Sequence, residues 1–271
     1  MQYEPIKQSL GKYFAGNLFM RKTLYFLLDL LLLRTWHVKK ALRKFAPEFP
    51  GNASVLDAGS GFGQYSWRMS KMNPGWNIKA VDINSEQIED CNRFFNKTGA
   101  SGRVAFAIGD LTTMTDTDCH NIILSVDVME HITEDVLVFQ NFYKSLKNNG
   151  ILLISTPSDK GGSDVHDDTE ESFIDEHVRD GYSIEDITEK LSLAGFKSIE
   201  ALYTYGKPGS ISWRLSMKYP VKMLNVSYLF FILLPFYYLI SFPFCLILNT
   251  FDLRLTHKTG TGLLISARKQ E

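Results

Sequence analysis

The chain has 271 residues, of which 45% are apolar, and a formal net charge of −1. A chain of this length buries a sizeable core, which predicts one large domain with additions. The near-zero charge excludes a global electrostatic attraction to nucleic acid as a partner. The three cysteines, Cys91, Cys119 and Cys245, have neither metal-ligand spacing nor an even disulfide framework, and they predict buried thiols in a reducing compartment.

The first part of the chain predicts a helical cap over residues 1–45. Leu24 to Leu33 is almost wholly apolar, and Arg21, Lys22, Arg34, Lys39 and Lys40 flank it. This run is shorter than the about 20 residues that a membrane-spanning helix needs. A helix that covers the site or lies on a membrane, and a buried cap helix, both fit the pattern. The first residues lack a basic segment followed by an apolar one, which predicts that no signal peptide is cleaved.

The most informative stretch is V-L-D-A-G-S-G-F-G-Q-Y at residues 55–65. It predicts the end of a buried strand, a glycine-rich turn and the start of a helix, with Asp57, Gly59, Gly61 and Gly63 as candidate ligand-binding residues. Alternate glycines remove side chains where a ligand must touch the main chain, although a plain tight turn also needs glycine. The spacing D-x-G-x-G-x-G differs from the dinucleotide fingerprint G-x-G-x-x-G.

Further apolar segments alternate with helices and predict a doubly wound α/β fold. The predicted strands are Ile78 to Ile83 with Asp82, Val104 to Ile108 before Asp110 and Leu111, Asn121 to Val126 before Asp127, Gly150 to Pro157, Phe196 to Thr204, and Gly262 to Ala267. An acidic residue that ends the second strand lies where a ribose diol would be hydrogen-bonded.

Capping residues predict where the intervening helices begin. One helix follows the glycine turn over Gln64–Met72. The others are predicted to be capped by Asn84 with Gln87, by Thr133, and by Ser183 with Asp186, and to end near Phe95, at Asn148-Asn149-Gly150 and at Gly195.

These segments, in this order, resemble the class I S-adenosylmethionine-dependent methyltransferases, and most closely the small-molecule branch that includes quinone-biosynthesis methyltransferases. The resemblance covers about residues 50–205 and the last dozen residues. It implies a seven-stranded Rossmann-like sheet and S-adenosylmethionine as the cofactor. It also implies that the glycine loop and Asp57 hold the methionine end and Asp82 the ribose, that Asp110 and Leu111 hold the adenine, and that Asp127 completes the cofactor site.

Three histidines are candidate general bases for an acceptor that must lose a proton. His131 follows the fourth strand, His166 lies in a polar loop that could close as a lid, and His177 precedes the Ser183 helix. A structural role is the alternative for each of them, and it is the prediction for His37, His120 and His257. The acidic residues around His166 lack an ordered ligand spacing, so they predict a solvated loop and no metal site.

A second informative feature is the uncharged segment from Met223 to Phe251. It is long enough to span a bilayer, but the predicted strands on both sides of it belong to one sheet, which argues against a single crossing. Pro235 and Pro243 predict a hairpin broken by proline that dips into one leaflet, with basic residues among the headgroups. A hydrophobic dimer interface is the alternative. The oligomeric state stays open.

The sequence therefore predicts a cap at 1–45, a methyltransferase core at 46–205, a hydrophobic membrane-associated helical insertion at 206–255 and a final core strand at 256–271. The predicted function is methyl transfer to a lipophilic small molecule, such as a phenol, quinone, polyene or lipid, on the cytoplasmic side of a membrane. One alternative is a nicotinamide-dependent oxidoreductase, which requires a Tyr-x-x-x-Lys pair such as Tyr143 and Lys147. The other is a non-catalytic membrane adaptor that binds S-adenosylmethionine.

Overall fold

The structure is a computed structural model that describes residues 17–161, 178–227 and 229–270. The helices of the described residues are α1 Leu18–Leu31, α2 Leu33–Phe45, α3 Gln64–Met72, α4 Ser85–Lys97, α5 Asp135–Ser145, α6 Ile184–Leu193, α7 Lys207–Trp213, α8 Tyr219–Val226 and α9 Phe230–Arg254. The strands are β1 Ser54–Ala58, β2 Asn77–Asp82, β3 Val104–Ile108, β4 His120–Val126, β5 Leu146–Pro157, β6 Ser198–Thr204 and β7 Gly262–Arg268.

The seven strands form one sheet in the order β3-β2-β1-β4-β5-β7-β6. Strands β1 to β5 are parallel, and β7 runs antiparallel to both of its neighbours. The chain order reverses between β1 and β4, and ligands of open α/β sheets bind at such a switch point. The predicted fold class, a doubly wound seven-stranded Rossmann-like sheet with helices between the last two strands, is confirmed.

Two apolar cores cover the two faces of the sheet. The first contains Val38, Met69 and Phe94, so α2, α3 and α4 pack on one face. The second contains Phe139 and Ile187, so α5 and α6 pack on the other. Cys91 and Cys245 are buried as predicted, whereas Cys119 is exposed. Cys119 differs because it lies just before the first residue of β4, outside the packed strand.

The helix after β4 begins later and ends earlier than its sequence predicts. Glu134 occupies the N-cap position, no side chain caps the helix, and α5 starts at Asp135. The carboxylate of Asp135 instead accepts hydrogen bonds from Tyr182 at 2.8 Å and Lys190 at 2.9 Å on the neighbouring elements. The chain leaves the helix at Leu146 and enters β5 directly, so Asn148-Asn149-Gly150 lie in the strand. The predicted Thr133 cap is therefore wrong.

Helices α7 to α9 form a helical hairpin, but its turn lies elsewhere than the sequence predicts. The first arm runs from α7 through a π-helical turn, Arg214–Lys218, into α8, and α9 returns as the second arm. Tyr237 and Tyr238 donate to the carbonyls of Leu215 and Ser216 at 2.7 and 2.8 Å.

Pro235 and Pro243 lie inside the continuous helix α9, so the prediction that they break the segment is wrong. Each proline removes one main-chain donor. The remaining helical bonds and the packing of α9 on the first arm hold the helix together.

Candidate functional site

The glycine loop lies between β1 and α3 at the carboxyl edge of the sheet. Gly59, Gly61 and Gly63 have φ values of 77°, 48° and 75°, a conformation that favours glycine. A Cβ atom on Gly59 would overlap the Val128 side chain, whereas one on Gly61 would meet only the Gln87 amide oxygen at 3.7 Å. A Cβ atom on Gly63 would meet Phe106 and Cys91 at 3.0 and 3.1 Å, so open space for a ligand lies at Gly61, in the middle of the loop.

Asp82 organises the loop from the end of β2. Its carboxylate accepts the Gly61 N–H at 2.8 Å and the Asn84 N–H at 2.9 Å. The carbonyl of Val81 also accepts the N–H groups of Gly59 and Ser60 at 2.8 and 3.0 Å. The sequence places Asp82 and the glycines nineteen or more positions apart, and the sheet brings them into direct contact.

Asp57 lies beneath the loop and is buried. The Ser66 hydroxyl of α3 donates to its carboxylate at 2.5 Å. Burial raises the pKa of Asp57 to about 6, against the opposing effect of the Ser66 hydrogen bonds. A cation bound above the loop would stabilise the charged form of this carboxylate.

Cofactor affinity should therefore depend on pH through Asp57. Below pH 6 the carboxyl group is protonated in the free protein, so the predicted attraction between Asp57 and a cationic cofactor would be lost as the pH falls. We expect the affinity for S-adenosylmethionine to weaken by up to about tenfold per pH unit below pH 6. Calorimetry between pH 5 and pH 7.5 checks this, and Asp57→Asn should flatten the dependence. A pH dependence that persists in Asp57→Asn would assign the proton to another group.

Asp110 lies after β3 and next to Asp82 along the same edge. It caps its own turn, since its carboxylate accepts the Thr112 N–H and hydroxyl, each at 2.8 Å. Leu111 is buried behind it.

Ile83 and Ile108 are 76% and 61% exposed at the ends of β2 and β3, so apolar surface flanks the two carboxylates. These two isoleucines were predicted only as strand residues, although their position beside the acidic residues was a usable signal.

The end of β4 carries Asp127, Glu130 and His131. Asp127 has a φ of 51°, which is unusual for a residue other than glycine, and it forms an ion pair with Arg34 of α2. Glu130 is buried, and burial raises its pKa; the Thr156 hydroxyl donates to it at 3.1 Å. His131 is exposed at the same edge. The sequence did not indicate that Arg34 pairs with Asp127, because a contact with the distant cap leaves no local pattern.

The remaining candidate histidines fall into two groups. His166, His177 and the acidic loop around His166 lie outside the described residues. His37 and His257 both contact the buried carboxylate of Asp252, at 2.9 and 3.1 Å, and His120 contacts Asp116 at 3.2 Å. These three contacts agree with the structural role that the sequence predicts for His37, His120 and His257.

The root of the helical hairpin meets the same edge of the sheet. Thr204 at the end of β6 pairs with Gly262 at the start of β7, and Gly262 pairs with Pro157 at the carboxyl end of β5. The chain between β6 and β7 therefore leaves and re-enters the sheet at the edge that carries the glycine loop.

Arg34 joins the hairpin root to the end of β4. Its N–H donates to the Tyr205 hydroxyl at 2.8 Å, and its guanidinium pairs with Asp127. Tyr205 has a φ of 54°. Asp127 and Tyr205, which both have a positive φ, therefore contact the same cap residue, Arg34. Such strain persists only where the surrounding structure fixes it.

These residues fit S-adenosylmethionine as the ligand. The loop leaves open space beside Gly61, two carboxylates lie at successive strand ends, and exposed isoleucines offer an apolar surface for a purine. Tyr143, the candidate dehydrogenase tyrosine, packs edge-on against Phe196 with ring centroids 5.2 Å apart. It lies in the last turn of α5, away from this edge, so the pair that a nicotinamide-dependent oxidoreductase requires is not at the site.

Comparisons with known proteins agree with this geometry. A family model described as "Methyltransferase domain" matches residues 51–199. Phosphoethanolamine N-methyltransferase of Triticum aestivum is 29% identical over 156 residues, which are 56% of this chain and 29% of that protein. The chain thus spans less than a third of the length of the curated relatives that it matches.

Solved structures share the fold at lower identity. Phosphoethanolamine N-methyltransferase 2 of Haemonchus contortus, in complex with S-adenosyl-L-methionine, superposes with a TM-score of 0.60 at 18% identity and covers 87% of this chain and 53% of its own. The cyclase SpnF superposes with a TM-score of 0.56 at 16% identity, and the match covers 85% of this chain and 80% of SpnF. The same fold therefore supports more than one chemistry, so the fold alone does not identify the reaction.

Proposed function

The chain belongs to the methyltransferase domain family of class I, S-adenosylmethionine-dependent enzymes, and on this premise we propose that it methylates a lipophilic small molecule at a membrane surface. The observation that carries the proposal is the outer face of α9. That face is apolar and exposed. The hairpin that bears it begins and ends at the carboxyl edge of the sheet, which also carries the glycine loop.

The exposed face of α9 is too large to be an ordinary surface feature. The outward residues that are more than half exposed include Phe231, Ile232, Leu233, Phe236, Leu239, Ile240, Phe244, Ile247 and Phe251. Among the described helices, α9 alone is long and apolar enough to cross a membrane, and only 17% of its most apolar window is buried within the molecule. Apolar patches of this extent mark contacts with lipid or protein.

The connectivity favours insertion from one side. Both ends of the hairpin return to paired strands, so the core stays on a single side of the bilayer. The 25 residues of α9 extend about 37 Å. The first arm carries Lys207, Arg214, Lys218 and Lys222, which disfavour its passage through the hydrocarbon core and suit the headgroup region. A hairpin that lies in one leaflet satisfies all of these constraints.

Methyl transfer requires little acid–base chemistry from the protein. S-adenosylmethionine supplies a methyl group already activated on a sulfonium, so the chain has to bind, orient and exclude water. The glycine loop, Asp82 and Asp110 would hold the cofactor. The acceptor would approach along the edge between β4 and the hairpin root, where Asp127 and His131 lie.

His131 should act as the general base if the acceptor must lose a proton. Among the described residues, His131 is the candidate histidine that lies exposed at this edge, and one of its ring nitrogens would accept the acceptor's proton. We expect His131→Ala to lower turnover by about 10²–10⁴-fold with unchanged cofactor affinity. His120→Ala, at the opposite edge, is the matched control. Turnover within a few-fold of wild type would indicate His166, His177 or catalysis by positioning alone.

A water-soluble acceptor is the second candidate, because the curated relatives are phosphoethanolamine N-methyltransferases. The apolar face of α9 has no role in such a reaction. A membrane adaptor that binds the cofactor without turnover would explain α9 equally well, and only the release of demethylated product separates it from an enzyme.

Mass spectrometry of lipid extracts tests the proposal in the cell. Extracts from cells with the active protein should contain a lipophilic species that carries one methyl group in place of a hydrogen, compared with its counterpart in cells that carry the Asp82→Ala variant. A methylated product confined to the aqueous fraction would support the water-soluble acceptor instead.

A further inference from the structure

The inner face of α1 is built onto the glycine loop by two buried polar side chains. Arg21 and Tyr25 are 3% and 1% exposed, and both donate to the carbonyl of Phe62, at 2.8 and 2.5 Å. Phe62 stands between two of the loop glycines. The Arg21 Nε also donates to the Tyr25 hydroxyl at 2.8 Å, so the two side chains act as one unit.

Two residues of α4 bind the remaining donors of the Arg21 guanidinium. Its guanidinium forms an ion pair with Asp90 of α4 and donates to the Cys91 sulfur at 3.1 Å. Burial raises the pKa of Tyr25, so its hydroxyl stays protonated and available as a donor. Burial of an unpaired cation destabilises a protein. The N–H groups of the Arg21 guanidinium are instead hydrogen-bonded to residues of α4 and of the glycine loop.

A second contact ties α1 to the helix that follows the loop. Asp29 accepts from the Gln64 side chain at 3.0 Å and from Arg68 at 3.1 Å. Gln64 is the first residue of α3, directly after Gly63. The cap therefore holds both the middle of the glycine loop and its exit.

These contacts fix a conformation that the loop alone would not keep. Gly63 has a left-handed φ, and its N–H bonds the Ser60 carbonyl at 2.8 Å. The Phe62 carbonyl belongs to the peptide group that contains this N–H, so donors on that oxygen set the orientation of the group. Glycine-rich segments lose more conformational entropy on ordering than any others, and an ordered loop binds its ligand without that cost.

We propose that Arg21 and Tyr25 are positioning residues for the cofactor: by holding the Phe62 carbonyl, they preorganise the glycine loop for S-adenosylmethionine. They lie behind the loop and are buried, so they act through it. This inference rests on the proposed function only in that the loop binds this cofactor. It gives the cap a role in cofactor affinity, in addition to its role in packing.

Two conservative variants test the proposal. Arg21→Lys keeps a cation beside Asp90 and loses the guanidinium bond to Phe62, and Tyr25→Phe loses one hydroxyl and keeps the ring packed edge-on against Phe94. We expect each to weaken S-adenosylhomocysteine binding about 5- to 20-fold by calorimetry. Arg103→Lys is the matched control, because Arg103 donates to the Ser70 carbonyl at 2.8 Å near the opposite edge of the sheet.

The melting temperature separates positioning from packing. All three variants should melt slightly earlier than wild type, but only Arg21→Lys and Tyr25→Phe should lose affinity. Wild-type affinity in folded Tyr25→Phe would overturn the inference, and this variant decides alone if Arg21→Lys fails to fold. A wild-type protein that does not bind S-adenosylhomocysteine would contradict the proposed function itself, which is a distinct outcome.

Discussion

Asp82→Ala should weaken the binding of S-adenosylmethionine and S-adenosylhomocysteine by about 10- to 150-fold. The carboxylate accepts the Gly61 and Asn84 N–H groups at 2.8 and 2.9 Å and is predicted to hold the ribose. Its loss therefore removes charge-assisted bonds to the ligand and a support of the loop. Such bonds contribute roughly 1.5–3 kcal/mol, which gives the expected range.

Two controls make this result specific to the site. Asp116→Ala removes a carboxylate that pairs with Lys79 and His120 before β4, at the opposite edge, and should leave the affinity unchanged. Asp82→Asn, which keeps one acceptor oxygen, should lie between wild type and Asp82→Ala. Unchanged affinity in Asp82→Ala would remove the ribose assignment, and tighter binding of a nicotinamide dinucleotide than of S-adenosylmethionine would contradict the cofactor.

Polar substitution of the outer face of α9 should release the protein from membranes. The variant changes Phe236, Leu239, Phe244 and Ile247, which are 55–76% exposed, to glutamine. Glutamine is a good helix former, and the inner face, with Ser241 and Cys245, is retained. Each lost side chain removes roughly 1.5–3 kcal/mol of burial in lipid, so vesicle partitioning should fall by at least ~100-fold.

The same variant should keep its cofactor affinity, because the four changed side chains are exposed on α9, whereas the glycine loop lies between β1 and α3. Leu137→Gln with Leu193→Gln, on exposed positions of α5 and α6, is the matched control and should leave vesicle binding unchanged. If the four substitutions alter the oligomeric state and not the vesicle binding, the face is a protein interface and the membrane proposal is wrong.

The core of the fold was predictable because its signals are local. The strands are continuous apolar runs with glycine or acidic residues at their ends, and Asn84 and Ser183 cap α4 and α6 by accepting the predicted N–H groups of Gln87 and Asp186. The order of the segments then matched one family. The geometry places the predicted cofactor residues along one edge, although their contacts with a cofactor stay predictions.

The rest depends on contacts between distant residues, which leave no pattern in the sequence. Asp135 looks like a residue of a capped first turn, and instead its carboxylate accepts from Tyr182 and Lys190. The prolines of α9 look like breaks, and packing against the first arm keeps that helix continuous. The Arg21 and Tyr25 contacts with Phe62 join residues 37 or more positions apart, so the cap was predicted as a helix and its link to the loop was not.

Transfer of a labelled methyl group tests the central claim most directly. The protein is incubated with methyl-labelled S-adenosylmethionine, lipid vesicles made from a total membrane extract, and phosphoethanolamine, and the products are then separated into organic and aqueous phases. We expect label in the organic phase, released S-adenosylhomocysteine, and loss of both in Asp82→Ala. Label only in the aqueous phase, or bound cofactor with no release of product, would contradict methyl transfer to a lipophilic acceptor.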